Sequence, residues 1–545
     1  MSLNRNMPMV STDHFSMVPR NDIPRSKFRT EHSLKTTFDA GWLVPIHVDE
    51  VLPGDVHQGA VTIFARLWTL LFPIMDNVEV STFFFFVPNR LVWSHWENFC
   101  GEQVNPADSI AFTIPVVSSP VGGFPVAVGS NTGLYDYFGL PTVGQVSGGA
   151  GVTVNSLPLR GYNLIYNEWF RDENLQNTVP FSLTDGPDSE ASYRLLRRNK
   201  KHDYFTSCLP WPLKGGVEVP MPLAGTAPVV KTGNLGPVFT KGAGPLPTFT
   251  LQAASVGTPT ATVQGGTSAA FVVGDVLTWA TTNLQADLSS ATGATINALR
   301  LAVTTQQFLE RDARGGTRYT ETLRSHFGVT PQDSRLQRPE YIGGGVSPVV
   351  VHSIPQTSAT GLTGGSTPIG ALGAASVVNG QHRFSYHAQE HGYIIGLAHV
   401  GADLTYQQGL KKMWSRQTRY DFYWPAFANL GEQAVLLKEI YIDGTAADTT
   451  TFGYQERWAE YRHFPSMLTG LFKSRSAGTI DPWHLAQNFT VAPTLNTTFI
   501  ADTPPMTRVL AASAVAGAQI LFDSFWRIDR TRAMPQYSVP GLTRF

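Results

Sequence analysis

Two apolar runs, Val61–Phe72 and Val78–Val87, restrict what this chain can fold into more than any other feature. Both are too short for the roughly 20 residues a membrane-spanning helix needs. Both are rich in β-branched and aromatic residues, with Phe83 to Phe86 in an unbroken row. Both are bounded by turn residues: Pro73, Asp76-Asn77 and Pro88-Asn89. Buried strands have this signature. A further strand is predicted over Gly41–Val51, closed by Pro53-Gly54. Strands resume beyond Arg383, at Gly392–Val400, Tyr420–Trp424 and Gln433–Ile442, at intervals that fit an antiparallel sandwich.

Between these β regions lies a helical stretch, Ile296 to Val329. Ile296, Leu299, Val303 and Phe308 recur near helical spacing with polar residues between them, as in an amphipathic helix. Gly315-Gly316 ends it, because glycine is costly in a helix interior and accepts left-handed turns. A second short helix is predicted through Tyr319, Leu323 and Phe327.

Charge is scarce. Only 15% of the 545 residues are charged, against roughly 25% in ordinary soluble domains. Arginines outnumber lysines 29 to 11, and 50 glycines with 37 prolines favour turns. Lysine depletion alongside Arg, Tyr, Trp and Phe is the compositional mark of buried interface; a large core in an enzyme is the alternative. A net charge of −1 argues against wholesale neutralisation of nucleic acid by this chain alone. Cys100 and Cys208 are too few for a disulfide framework or a cysteine metal site. The N-terminal residues lack the apolar core of a signal peptide, so synthesis in a cytoplasm is expected.

Residues 1–35 mix Pro8, Pro19 and Pro24 with basic residues, among them Arg5, Arg25, Lys27 and Arg29. They read as an extended arm, either reaching to a neighbour or a DNA phosphate, or merely solvated. Trp93–Phe99 suits a short helix, and residues 109–158, charged only at Asp136, a long loop system. Tyr162–Gln176 is predicted as a second amphipathic helix. Residues 224–295 carry only Lys231, Lys241, Asp275 and Asp287 as charges and read as an insertion with short strands of its own, Thr248–Leu251 and Phe271–Trp279 among them. Phe239, Phe249, Phe271 and Trp279 argue that it packs. Residues 341–382 lack Asp, Glu, Lys and Arg and read as a second loop of this kind. The C-terminal stretch from Ser524 sets Arg527, Arg530, Arg532 and Arg544 against Asp529.

Candidates for chemistry are thin. His387 to His391, with Glu390, matches the H-x-x-E-H zinc pattern, but Gly392 and an apolar strand follow where the site needs a helix. Glu168 and Asp172 at i, i+4 could pair for glycoside hydrolysis, yet flanking Arg171 they equally mark a salt-bridged helix face. Gly343 to Gly345 lacks the strand–loop–helix setting of a nucleotide site. Arg197, Arg198, Lys200 and Lys201, interleaved with Tyr204 and Phe205, form the densest basic cluster. Single-stranded nucleic acid, a solvated turn and inter-subunit salt bridges all suit it. No catalytic, cofactor-binding or metal-binding residue is assigned.

The segment ERDARGGTRYTETLRSHFGV, with RLQRPEYIGGG after it, resembles the major capsid proteins of the Microviridae, small icosahedral single-stranded DNA phages, on their gokushovirus branch. HFSMVPRNDIPRSKF, FDAGWLVPIHVDEVLPGD, NEWFRDENLQ, HDYFTSCLPWPLKGG and YDFYWPAFANLGEQAVLLKEIY extend the likeness over most of the chain. The resemblance implies a mainly β protein, an eight-stranded antiparallel jelly roll, in about 60 copies under icosahedral symmetry. Its parts would be an arm at 1–35, a first jelly-roll part at 36–223, a surface protrusion at 224–295 suited to host-cell attachment, and 296–545 as the second part with a C-terminal arm. It also implies a single-stranded DNA genome, a small basic packaging protein, internal scaffolding and pilot proteins, and a host-cell receptor. Replacing Arg527, Arg530 and Arg532 by Ala is then expected to weaken genome retention more than shell formation. A β-sandwich hydrolase and an adhesin-like binding module are the alternatives.

Overall fold

The computed structural model describes residues 24–126, 133–149, 151–216, 295–316, 318–330, 337–357, 370–511 and 517–537, together with 219, 332 and six short strands between 229 and 286. Two compact units emerge: residues 1–212 with 312–545, and Leu213–Arg311.

The larger unit is built on one antiparallel sheet. Eight of its strands have nine or more residues: β1 (Ser26–Phe38), β2 (Trp42–Val51), β3 (Val56–Leu67), β4 (Val78–Pro88), β5 (Glu340–Pro348), β6 (Leu372–His387), β7 (Gly392–Ala402) and β8 (Ile520–Arg532). Their order is β1-β8-β3-β6-β5-β4-β7-β2, with Leu196–Arg197 beyond β2 and Val350–Pro355 beside β6. The pairs β4·β5, β3·β6, β2·β7 and β1·β8 nest inside one another along the chain. A nested antiparallel hairpin rolled up on itself is the jelly-roll topology.

The roll is closed by side chains from opposite ends of the sheet order. The Trp526 indole on β8 lies 4.6 Å from the His47 ring on β2 and 5.7 Å from Phe84 on β4. His32 on β1 stacks on both Trp526 and His47. The sheet therefore curls into a half-barrel of jelly-roll type. Strand β3 shows why: Val61, Ile63, Ala65 and Leu67 alternate inward, while Phe64 between them is 45% exposed.

Strands β4 and β7 behave differently, because both of their faces are covered. All eleven residues of β7 are buried. Helix α1 (Leu157–Ile165) lies on their outer face, and Gly161 permits the approach: a Cβ there would stand 3.1 Å from the Ile395 side chain. Arg160, fully buried on the same helix, donates to both oxygens of Asp188 and to the carbonyls of Val92 and Thr184. A buried charge needs such complete pairing.

Several sequence expectations shift. The predicted helix over Tyr162–Gln176 begins five residues earlier, at Leu157, and gives way to a π turn at Tyr166–Phe170 before the chain extends at Arg171. The arm expected to run to residue 35 is strand from Ser26, since β8 offers a thirteen-residue partner; residues 1–23, with Arg5, lie outside the described residues. Much of the 341–382 segment, expected to be loop, is strand in β5, Val350–Pro355 and β6. Its glycines and serines fit against large neighbours: a Cβ on Gly345 would meet the His382 ring at 2.4 Å. Tyr420–Trp424 is not a strand, and the predicted strand from Gln433 is confined to Glu432–Leu436 before the chain tightens into a 3₁₀ turn.

Helix α2 (Ile296–Gly315) and helix α3 (Tyr319–Phe327) match the predicted helices, with Gly316 and Gly328 at positive φ after them. The apolar stripe of α2 is not buried, however: Ile296, Leu299, Val303 and Phe308 are 43–70% exposed. In the smaller unit, Val238–Lys241, Phe249–Gln252, Thr262–Gly265 and Leu277–Trp279 form a four-stranded sheet, and Val229–Lys231 pairs with Leu284–Ala286. Phe249 and Trp279 sit on those strands; Phe271 lies outside the described residues.

Two outcomes follow for the closed roll. Trp526→Ala should cost about 3–5 kcal/mol, whereas Phe525→Ala, at an exposed neighbour, should stay within about 1 kcal/mol; urea unfolding of unassembled subunits compares them, and equal costs would deny the stack its closing role. Burial pushes His47 down from its ordinary 6.5 to about 3, so it is neutral in the fold. Below pH 6.5 the unfolded chain takes up a proton that the native state refuses. The stability His47 contributes is thus complete above pH 6.5 and declines toward pH 3, by up to about 1.4 kcal/mol per pH unit. His47→Phe should flatten the fall in urea midpoint between pH 7 and pH 5; an unchanged slope would assign it elsewhere.

Candidate assembly and nucleic-acid surfaces

The basic residues predicted near the two ends of the chain meet on the β1–β8 ribbon. Lys27 and Arg29 on β1 both bind Asp529 on β8, at 3.0 and 2.8 Å, and hold its carboxyl well below the usual carboxylate range. Arg527 faces Glu31 at 3.8 Å, and Lys35 binds Asp523 at 2.6 Å. Lys27, Arg29, Lys35 and Arg527 keep half or more of their side chains exposed. Arg25 donates to the Gly54 carbonyl at 3.0 Å.

Arg530 and Arg532 have a different setting. They reach inward to Asp49 at 2.6 Å and to the fully buried Asp55 at 2.9 Å. His57, also fully buried, sits between the same two carboxylates, 3.8 Å from Asp49 and 3.4 Å from Asp55. Removing either arginine would take the ion-pair partner from a buried (Asp55) or half-buried (Asp49) carboxylate. The triple arginine-to-alanine replacement would therefore act on the fold as well as on any genome contact.

The Arg197–Lys201 cluster is folded largely inward. Arg197 stacks on Trp42 at 3.9 Å and donates to the carbonyls of Ala40 and Asp502. Arg198 lies over Phe83 and beside His399, and Lys200 is buried over Phe499. Lys201 turns outward to Glu79 at 2.8 Å and Asp403 at 3.4 Å.

The largest feature that sequence reasoning missed lies between β7 and β8. Here a second apolar core, including Tyr204, Phe205, Tyr406, Ile440 and Phe452, supports a surface of 3₁₀ turns. Trp414, Phe422, Trp424, Phe464 and Met467 are 50–84% exposed on it. Arginines are interleaved: Arg416 pairs with Glu460 at 3.0 Å and covers Tyr461, and Arg419 covers Tyr420. A cavity of about 300 Å³ opens beside Met413, Phe464 and Met467. Clustered exposed aromatics, methionines and arginines are what protein–protein interfaces use. The signal was available in YDFYWPAF: no alternation of polar and apolar residues, and Pro425 where a strand would need an N–H.

The catalytic candidates do not assemble. Glu390 binds Arg90 at 2.7 Å, the His391 ring packs edge-on against Trp96, and His387 is exposed at the end of β6. Asp172 caps the backbone of Asn174 and Leu175 beyond the π turn that carries Glu168, so the two share no helix face. Among the described residues no group of three His, Cys, Asp or Glu could hold a metal ion. Cys100 and Cys208 are both free thiols.

Comparison with known proteins places the chain among phage capsid proteins. A family described as capsid protein (F protein) matches residues 16–542. The capsid protein VP1 of Bdellovibrio phage phiMH2K is 45% identical over 534 residues, covering 97% of each chain. That of Chlamydia phage 1 is 41% identical over the whole of both chains, and that of Spiroplasma virus 4 is 37% identical over 97% of each. A rolled β-sandwich with an exposed aromatic surface fits a shell subunit, and the chain belongs to the F-protein family of phage capsid proteins, of Microviridae type, with a structural and non-enzymatic role.

Proposed function

We propose that about 60 copies of this chain close into a T=1 icosahedral shell around a circular single-stranded DNA genome. The observation that carries this reading is the surface of exposed aromatics at Trp414, Phe422, Trp424 and Phe464, a composition that interfaces favour. Docking against neighbouring copies would bury it. The virion is then the site of action, with assembly in the host cytoplasm.

With a net charge of −1 the shell cannot neutralise its genome. A small basic packaging protein is the partner this deficit calls for, beside internal scaffolding and pilot proteins. Lys27, Arg29 and Arg527 supply exposed cations for phosphate contact, and Arg5 and Arg25 would add to them from the arm. The 224–295 insertion, with Phe249, Phe271 and Trp279, serves as the surface protrusion and host-receptor contact. Its near absence of charge supports a contact made by shape and apolar packing.

Sedimentation and negative-stain microscopy of the purified protein, alone and with phage partners, test the shell. Uniform closed particles are expected, and a monodisperse monomer under both conditions would end the proposal. Trp414→Asp combined with Phe464→Asp should abolish particles while leaving subunit stability within about 1 kcal/mol, both sites being exposed. Lys27→Ala with Arg527→Ala should lower the DNA content per particle without lowering particle yield; undiminished DNA would remove the β1–β8 ribbon from the genome interface.

A further inference from the structure

Lys200 is the most deeply buried cation of the Arg197–Lys201 cluster, and its ammonium has no partner carboxylate among the described residues. It is 6% exposed, and its backbone is fixed by a 2.8 Å hydrogen bond from its N–H to the Ile500 carbonyl. Its ammonium lies over the Phe499 ring at 4.4 Å and makes no hydrogen bond or ion pair with a described residue. The two carboxylates that attract it are engaged elsewhere: Asp502 accepts from His399 at 3.1 Å, and Asp203 accepts the backbone N–H groups of Phe205 and Thr206. Burial lowers its pKa to about 8, which still leaves most of it charged at neutral pH. A largely buried side chain whose ammonium has only an aromatic face as partner is costly.

This lysine lines a cavity of about 700 Å³. Arg171 and Arg318 line it too, with their Nε–H groups buried and that of Arg318 facing Glu173 at 3.3 Å. The carboxylates on the wall are already committed, Asp172 to the backbone of Asn174 and Leu175, Glu173 to Arg171 and Arg318, and Glu321 to Arg318. Lys200 thus brings uncommitted donors, and Arg171 and Arg318 further positive charge, to a space large enough for a phosphate and the nucleoside attached to it.

We propose that this cavity is a phosphate-binding pocket centred on Lys200, taking a phosphodiester group of single-stranded DNA or a free phosphate ion. The phosphodiester source rests on the genome-enclosing function proposed above; the pocket itself does not. Lys201, one residue on, satisfies its charge at Glu79 and Asp403 and supplies the matched control.

The full-length protein is tested as unassembled subunits, with inorganic phosphate and a labelled oligothymidylate as probes and chloride at equal ionic strength as reference. Phosphate should raise the melting temperature of the parent and of Lys201→Met but not of Lys200→Met. Oligothymidylate should bind about tenfold more weakly to Lys200→Met, and Lys200→Arg should recover part of that loss. Without phosphate, Lys200→Met should melt no lower than the parent, because it removes an unpaired buried charge; this separates loss of binding from loss of fold. Phosphate stabilisation without oligothymidylate binding would assign the free ion, and oligothymidylate binding displaced by phosphate would assign the strand. No phosphate stabilisation of the parent, or equal stabilisation of Lys200→Met, overturns the pocket. Failure to form shells, with the Lys200 dependence intact, would overturn the shell and leave the pocket standing.

Discussion

The contact between Trp526 and His47 is the constraint on which the larger unit turns. A flat antiparallel sheet in the observed order would leave β8 and β2 remote from each other. Stacking their rings at 4.6 Å, with Phe84 beneath and His32 alongside, brings the inner faces together and gives Val61, Ile63 and Ala65 an apolar space to fill. The ion pair Arg530–Asp49 joins the same two strands, and Arg532–Asp55 ties β8 to the turn that follows β2. Burying aromatic area supplies the drive, and the charges supply direction; buried pairs contribute more to specificity than to net stability.

A different logic governs the chain between β7 and β8. Its second core is an aromatic cluster rather than a ladder of strands: Phe205 meets Tyr406 and Phe452 edge-on, and Phe452 meets Phe499 in the same way. Short 3₁₀ turns over that cluster send side chains outward without the strict alternation of a strand. That freedom explains how Trp414, Trp424 and Phe464 can share a surface with Arg416 and Arg419. The jelly roll is rigid through its hydrogen-bond ladder, and this region offers the shape.

Much of the architecture was legible in the sequence, for identifiable reasons. The Phe83–Phe86 run and Gly392–Val400 were found because a strand covered on both faces is apolar throughout. Helices α2 and α3 were found because glycine punctuates them. The strands at 341–382 were missed because Gly, Ser and Ala carry no periodic signal; their pairing is dictated by the bulk of Phe84, His382 and Phe384 opposite. The basic clusters were legible as composition only. Which cation meets a carboxylate five hundred residues away, as Arg29 meets Asp529, is settled by register, and no local pattern records it. The exposed aromatic surface was misread as strand because aromatic enrichment suits a core and an interface equally.

The nesting of the strands also sets a timetable. The innermost pair, β4 with β5, joins residues about 250 apart, and the outermost, β1 with β8, joins Ser26 to Arg532. Strand β8 also fills the space between β1 and β3. Until residue 532 has left the ribosome, both of those strands present open edges, and the last ring of the closing stack does not exist. A chain stopped short has adhesive edges and no finished subunit. The molecule thus makes completeness of synthesis a condition for acquiring the shape that assembles.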